Sequence, residues 1–473
     1  MTFSPTLALE KRLFLLAIPG LGVALLITLL SLVAAIAGRT HVERTAEAQA
    51  IFTEERNATL EEWRNSLQQI EDTGEAPSPF VSRPMDIRMP AVLPPAPLAD
   101  FAIGSTDLHP TTTLITGWSN PADLFNEYEF SNPSLLSIGG FDLTFLVVVV
   151  LPLLMIAASY DILSGDRERG RVKLIAAQAG HVAPSAWSRL VIRNLSIWFV
   201  FSLATAIVAF WSPMEMTVAD RLLDFIAWLG AAFVYGLFWF ALIALASAFL
   251  KRGDTIAAAL FSAWATFVFA VPAIGGALAE AAYPPPSRLA FLSEMRQGEV
   301  TAIRDTAALT AGFLADHPEM TVSDEGVPGY YQSNFLANRE AAKRTTPVLD
   351  AFNESRAKRS ALVSKLQYLS PAMIADHALT TIAGGDVARS IAFQRQARAA
   401  LADLSERIGP AIVAKQRISV AEFDAIPAFV FQDRTLLEKL RAHVVPLGFL
   451  MIFSAIALVL ARRRMDAPLE RLL

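Results

Sequence analysis

The stretch SYDILSGDRERGRVKLIAAQAG, residues 159–180, sets Asp161, Asp166, Arg167, Glu168, Arg169, Arg171 and Lys173 between two long apolar runs. Carboxylates and guanidiniums at this density form charge-assisted hydrogen bonds, with each other or with a partner. They do not make a catalytic set. The chain has no cysteine, hence no disulfide and no thiolate metal site. No G-x-x-x-x-G-K-[ST] phosphate loop, H-E-x-x-H pair or G-x-S-x-G elbow occurs, and no two of the six histidines stand at ligand spacing. His377, following Asp376, reads as a solvated helix end rather than a metal ligand. The chain is therefore not expected to be an enzyme, nor to hold a metal or cofactor of its own.

Gly165 and Gly170 bracket DRER, after which RVKLIAAQ spaces Val172, Leu174 and Ile175 as on one face of a helix. This pattern predicts a short helix within 161–180, ended by Gly180. It would lie across the end of a span, charged on one side and apolar on the other, as a docking surface. A solvated basic loop is the plainer alternative, and composition alone does not separate the two.

The elements that must position this stretch follow from composition. Of 473 residues, 53% are hydrophobic and mean hydropathy is +0.42, more than the roughly 45–50% apolar usage of globular domains. That is the composition of a membrane protein. A net charge of −5 and the lack of a basic cluster speak against a nucleic-acid partner. Crossing a hydrocarbon core about 30 Å thick takes roughly 20 apolar residues in a helix. Six runs qualify: 13–37, 145–160 with a lead-in from 138, 195–211, 225–250, 255–278 and 444–461. Pro152 should kink the second. The first also resembles a signal peptide ending in AIAG at 35–38, but its apolar stretch is longer than the 7–15 residues of a secretory signal, which favours an uncleaved anchor.

Lysine and arginine set the orientation. Lys11, Arg12, the basic residues of 167–189, Lys251, Arg252 and Arg462 to Arg464 all fall on one side, so both termini and the charged stretch are expected in the cytoplasm. The expected organisation is residues 1–37, N-terminus and first span; 38–137, first outer segment; 138–279, spans two to five; 280–443, second outer segment; and 444–473, last span and C-terminus. The fold expected is an all-α multi-pass membrane protein, six spans beneath a helix-rich extracytoplasmic domain built from the two large loops. The apolar spans hold almost no ionisable residues, which disfavours a proton relay.

At the charged stretch, SYDILSGDRERGRVKLIAAQ resembles the motif of permease subunits of type-2 ATP-binding-cassette exporters. There a short cytoplasmic coupling helix after the second span meets the ATPase. Asp166 stands where glutamate is usual, and Arg171-Val172 where threonine-leucine is usual. LPPAPLADFAIGSTDLHP, FDLTFLVVVVLPLLMIAASYDILS and LSPAMIADHALTTIAGGD are similar to the subgroup with two large outer loops, filed as a domain of unknown function. The resemblance implies an ATPase-coupling set of Tyr160, Asp161, Ser164, Gly165, Asp166, Arg167, Glu168, Arg169, Gly170 and Leu174, with the carboxylates of Asp166 and Glu168 turned toward the ATPase. It also implies the partners: a cytoplasmic ATPase dimer carrying ATP and magnesium, a second permease (identical or paralogous), and the lipids of a bacterial inner membrane. An apolar or lipid-like cargo would suit spans whose polar residues are few, chiefly Ser202, Thr205, Ser247, Ser262 and Thr266. A second reading stays open, a transmembrane transmission or scaffold protein relaying ATPase movement to an envelope partner.

Overall fold

Each apolar run corresponds to one long helix. The computed structural model describes residue 10, residues 18–76, 78, 80–104, 109–121, 124–125, 140–179, 182–211, 218–284, single positions between 293 and 315, and 329–467. Lys11, Arg12, the first residues of the apolar run from Leu13, and Gly180 lie outside them. Among the described residues six helices are long and apolar enough to cross a membrane: Gly20–Thr73, Leu143–Glu168, Ala183–Trp211, Arg221–Phe249, Gly253–Ala282 and Leu436–Met465, here spans one to six. The chain is an all-α multi-pass membrane protein. Leu21, Leu25, Leu29, Leu32 and Ile36 of span one remain exposed, as a lipid-facing surface requires.

Small residues let the spans approach closely. A methyl group on Gly236 of span four would lie 1.9 Å from the Trp198 ring of span three, so only glycine fits at that crossing. Prolines shape two other spans. Pro152 cannot donate to the carbonyl of Val148, and the backbone just before it widens into a π turn at Leu146–Val150; Pro272 follows a similar turn at Thr266–Ala270. The carbonyls left over need partners in an apolar setting. Tyr235 Oη donates to Val148 O at 2.9 Å, Trp264 Nε1 to Val149 O at 3.0 Å, and the Ser370 hydroxyl to Phe267 O. Each bulge thus becomes a tie between helices.

The helix that begins in span one is continuous over 56 residues, Ile18–Thr73, a rod of roughly 84 Å at 1.5 Å per residue. Its upper half leaves the apolar bundle and joins the large segments. There a two-stranded antiparallel sheet, β1 (Arg88–Val92) and β2 (Thr112–Thr116), sets Met89 opposite Ile115. Both five-residue strands lie in the first outer segment, residues 38–137. Further helices are α1 (Ser164–Glu168, closing span two), α2 (Arg171–Ala179), α3 (Gly329–Leu366), α4 (Pro371–Ala383), α5 (Val387–Val413) and α6 (Val420–Asp424). Leu67 of the rod, Met85, Ile87 and Ile115 of the first segment, and Phe335, Phe393 and Ile412 of the second share one apolar core. The two large segments therefore fold on each other and on the rod, where Trp63 stacks on Phe423 with ring centroids 4.7 Å apart and Arg64 makes a two-pronged ion pair with Asp424.

Helix α4 departs from the sequence expectation. Read as part of an outer segment, it instead enters the core of the spans, where Ile374, Ala375, Ala378, Leu379 and Ile382 are buried. Ser370 caps its start, accepting from Met373 N, and Gly384 at φ 85° ends it. Thirteen residues are too few to cross, so hydropathy over a full-span window passes it by. Paired charges flank the apolar runs. Arg221 and Asp100 form an ion pair at 2.8 Å, and Lys439 stands 3.8 Å from Asp224, all four buried. Arg221, Asp224 and Lys439 lie in end turns, where the helices run on past their apolar runs, and Asp100 lies in the turn at 97–101.

Candidate functional site

At the end of the bundle remote from the large segments, α1 and α2 form a hairpin. The pattern predicts one helix there; the structure divides it at Gly170, whose φ of 68° lies in the left-handed region that glycine enters without steric cost. Ser164 is buried, and its hydroxyl donates to Tyr160 O at 3.4 Å. Tyr160 closes the preceding helix and leaves its ring partly exposed. Gly165 N donates to Asp161 O, starting α1.

The carboxylates are the main correction. The resemblance turns Asp166 outward, but the residue is 2% exposed and forms ion pairs with Arg189 of span three and, at 2.7 Å, with Arg171. Arg189 in turn holds Glu10 at 2.8 Å and donates to Ile162 O at 3.1 Å. Asp161 pairs with Arg193, one helical turn further along span three, at 2.8 Å. The reason is electrostatic: an acid this close to an apolar core must be paired. Arg189 and Arg193 were legible only as positive charge near a membrane end. Their i, i+4 spacing at the start of an apolar helix was the signal that both face one neighbour.

Arg167 and Glu168 bridge to the next two spans. Arg167 Nη1 donates to Leu250 O at 2.8 Å and to Ser247 O at 3.4 Å, the free carbonyls at the end of span four. Glu168 Oε1 accepts from Gly253 N at 2.8 Å, the first amide of span five. A cation thus sits at a helix C-terminus and an anion at a helix N-terminus, the favourable arrangement for both helix dipoles, each worth about 0.3–1 kcal/mol at an exposed site. A methyl group on Gly253 would lie 3.1 Å from Ser164 Oγ and 3.3 Å from Glu168 Oε1, so the hairpin rests directly on this turn.

Beside the exposed Glu168, the outward surface is mostly basic and apolar. Arg169, Gly170, Arg171, Lys173 and Leu174 are exposed, with Leu174 presenting 59% of its surface, while Val172 between them is buried. Among the described residues no group of three or more histidine or carboxylate side chains could hold a metal ion. The hairpin can bind an acidic or apolar surface and pass displacement to spans three, four and five.

Residues 288–432 match a family described as a domain of unknown function (DUF3526). That region takes in α3 to α6 and most of the second large segment. No curated protein and no solved structure matches the chain.

Proposed function

We propose that this chain is the permease subunit of an ATP-binding-cassette exporter in a bacterial inner membrane, with the hairpin facing the cytoplasm and docking a separate ATPase that supplies ATP and magnesium. A second permease, identical or paralogous, completes the pathway. The observation that carries this reading is the double clamp of Arg167 on the end of span four and Glu168 on the start of span five. A surface with a free apolar residue among basic ones is fixed by short bonds to several spans at once, so a push on it tilts them together. Arg169, Lys173 and Leu174 make the contact, whereas Asp161, Asp166, Arg167 and Glu168 transmit it.

The test is to co-express the chain with its ATP-binding-cassette partner, replace Leu174 with Asp, and measure ATPase recovered with the permease. Loss of association by about tenfold or more is expected, as for an apolar interface residue changed to a charge. Wild-type recovery, with the variant correctly inserted, would contradict the reading.

One observation favours the second reading, transmission to an envelope partner. The span-one helix is an unbroken rod from the bundle into the core of the large domain, joined there by the Trp63 stack and the Arg64–Asp424 pair. Movement of the bundle would reach that domain without any cargo crossing.

A further inference from the structure

A cavity of about 790 Å³ opens where spans two and five meet α3, α4 and the start of α5, on the same side of the bundle as the large domain. Its walls divide sharply by chemistry. Val148 and Val149 of the span-two bulge, Phe145, Pro272, Met373 and Val363 form an apolar part. The bulges themselves make this possible, because their spare carbonyls are tied off by Tyr235, Trp264 and Ser370, leaving only side chains toward the space.

On the α3 wall stand Arg356 and Arg359, one turn apart. No acid pairs with either among the described residues. Arg359 spends one N–H on Tyr283 O at 2.9 Å, leaving its buried Nε without a partner, and Arg356 lies over the Phe352 ring, 5.8 Å from the centroid. Partial burial, then the like charge of Arg359, hold the Arg356 guanidinium below its usual value. Near it His109 is pushed down to about 4, by burial and then by Arg356, and so carries no charge at neutral pH. On the α4 wall stands Asp376, which makes no hydrogen bond or ion pair among the described residues and faces the cavity, surrounded by protein but open to the cavity's space. Asp142 beside it is spoken for: it caps span two, accepting from Phe145 N at 2.7 Å and Ile103 N at 3.0 Å. The other acid on the wall, Asp386, is paired with Arg434 at 2.8 Å.

Charges of opposite sign therefore face one space without meeting, and an apolar wall runs between them toward the hydrocarbon. Two guanidiniums one turn apart suit a phosphate or carboxylate, and a lone carboxylate suits an ammonium. We propose that this cavity binds a zwitterionic amphiphile: its anionic group on Arg356 and Arg359, its ammonium on Asp376, and its chain along Val148, Val149 and Pro272. The site lies at the depth where spans two and five end, which is where lipid headgroups sit. Binding here does not depend on whether an ATPase drives the chain.

The experiment uses the full chain purified in a non-ionic detergent, titrated with three short-chain probes and followed by isothermal calorimetry. Dihexanoyl phosphatidylethanolamine carries both charges, dihexanoyl phosphatidylglycerol only the phosphate, and hexylammonium only the cation. The first is expected to bind at least about tenfold more tightly than either of the others, since each charge-assisted contact is worth about 1.5–3 kcal/mol. The Arg356→Gln, Arg359→Gln variant should weaken it by about tenfold or more. Asp376→Asn should weaken phosphatidylethanolamine but leave phosphatidylglycerol unchanged. Ser360→Trp fills the cavity from an exposed position on α3, keeps every charge, and should abolish binding of all three. Equal binding of the two phospholipids, unaffected by Asp376→Asn, would reduce the cavity to an anion site and overturn the proposal. So would binding that survives Ser360→Trp, or no binding to a wild-type chain that is folded by circular dichroism.

Discussion

At the hairpin end of the bundle Asp161, Asp166 and Glu168 each find a partner within the chain, while at the cavity end, among the described residues, neither Asp376 nor Arg356 nor Arg359 is in an ion pair. Both ends lie beside apolar helices, so desolvation weighs on both. The difference fits the two roles proposed above. Charges paired across spans make a stiff mechanical joint, since moving one partner drags the other. Charges held apart around one cavity suit the proposed ligand, which would supply the missing counter-charges.

The sharpest way to break this comparison is Asp166→Ala. It leaves Arg189 with Glu10 as its remaining ion-pair partner beside a buried face, and losing one member of a buried pair costs about 3–5 kcal/mol. A large fall in folded yield and in the melting temperature in detergent is expected. Glu168→Gln should do much less, because the amide oxygen can still accept from Gly253 N. Equal effects would show that the pairing of Asp166 is not structural.

Gly170→Ala ranks next. A left-handed residue other than glycine costs roughly 1–2 kcal/mol, which should loosen the hairpin measurably in hydrogen exchange at α2 while sparing the large domain.

The cavity end should answer to pH in a definite direction. Burial, then nearby Asp142, raises Asp376 to about 6, and burial raises Asp142 to about 6 against its own backbone hydrogen bonds. A carboxyl whose folded value lies above its unfolded value near 4 adds stability below about pH 4 that is lost as pH rises through about 6. Arg356, Arg359, His377 and Asp386 face the same space, so the comparison is made against a variant that keeps them. The wild-type melting temperature, relative to that of Asp142→Asn with Asp376→Asn, should rise as pH falls from 7 to 5. No such difference would show that neither carboxyl is raised. Asparagine caps a helix about as well as aspartate, so the variant should fold.

The smallest effect belongs to the Arg64–Asp424 pair, whose partners are both well exposed. Arg64→Ala should leave the melting temperature near wild type, because exposed pairs contribute little. A marked loss would show that the rod is held to α6 by charge rather than by Trp63 on Phe423.

The six spans were legible because a full-length apolar run is a one-dimensional signal. Helix α4 was not, since its thirteen residues carry the apolar pattern of a buried helix without the length of a span, and Asp376 with His377 made it look like surface. The hairpin was half legible. The pattern gave helix within 161–180, but as one helix, without the turn at Gly170. Which charges face outward depends on Arg189, Arg193 and Gly253, which are distant in sequence, and so the direction of Asp166 read from the motif was reversed. The cavity was not legible at all, because its walls come from α3, α4 and two bulged spans whose shape is set by proline and by hydrogen bonds between helices.

The measurement that bears most directly on the hairpin as the driven surface is site-directed crosslinking in a chain that has no native cysteine. Single cysteines at Lys173, at Leu174 and, as a control on the large domain, at Val430 would be treated with a short bifunctional reagent in membranes containing the ATP-binding-cassette partner. Lys173 and Leu174 should crosslink to the ATPase, with a yield that changes on adding ATP, and Val430 should not. Absence of any ATPase adduct at Lys173 and Leu174, or adducts of equal yield at Val430, would contradict a docking role for the hairpin.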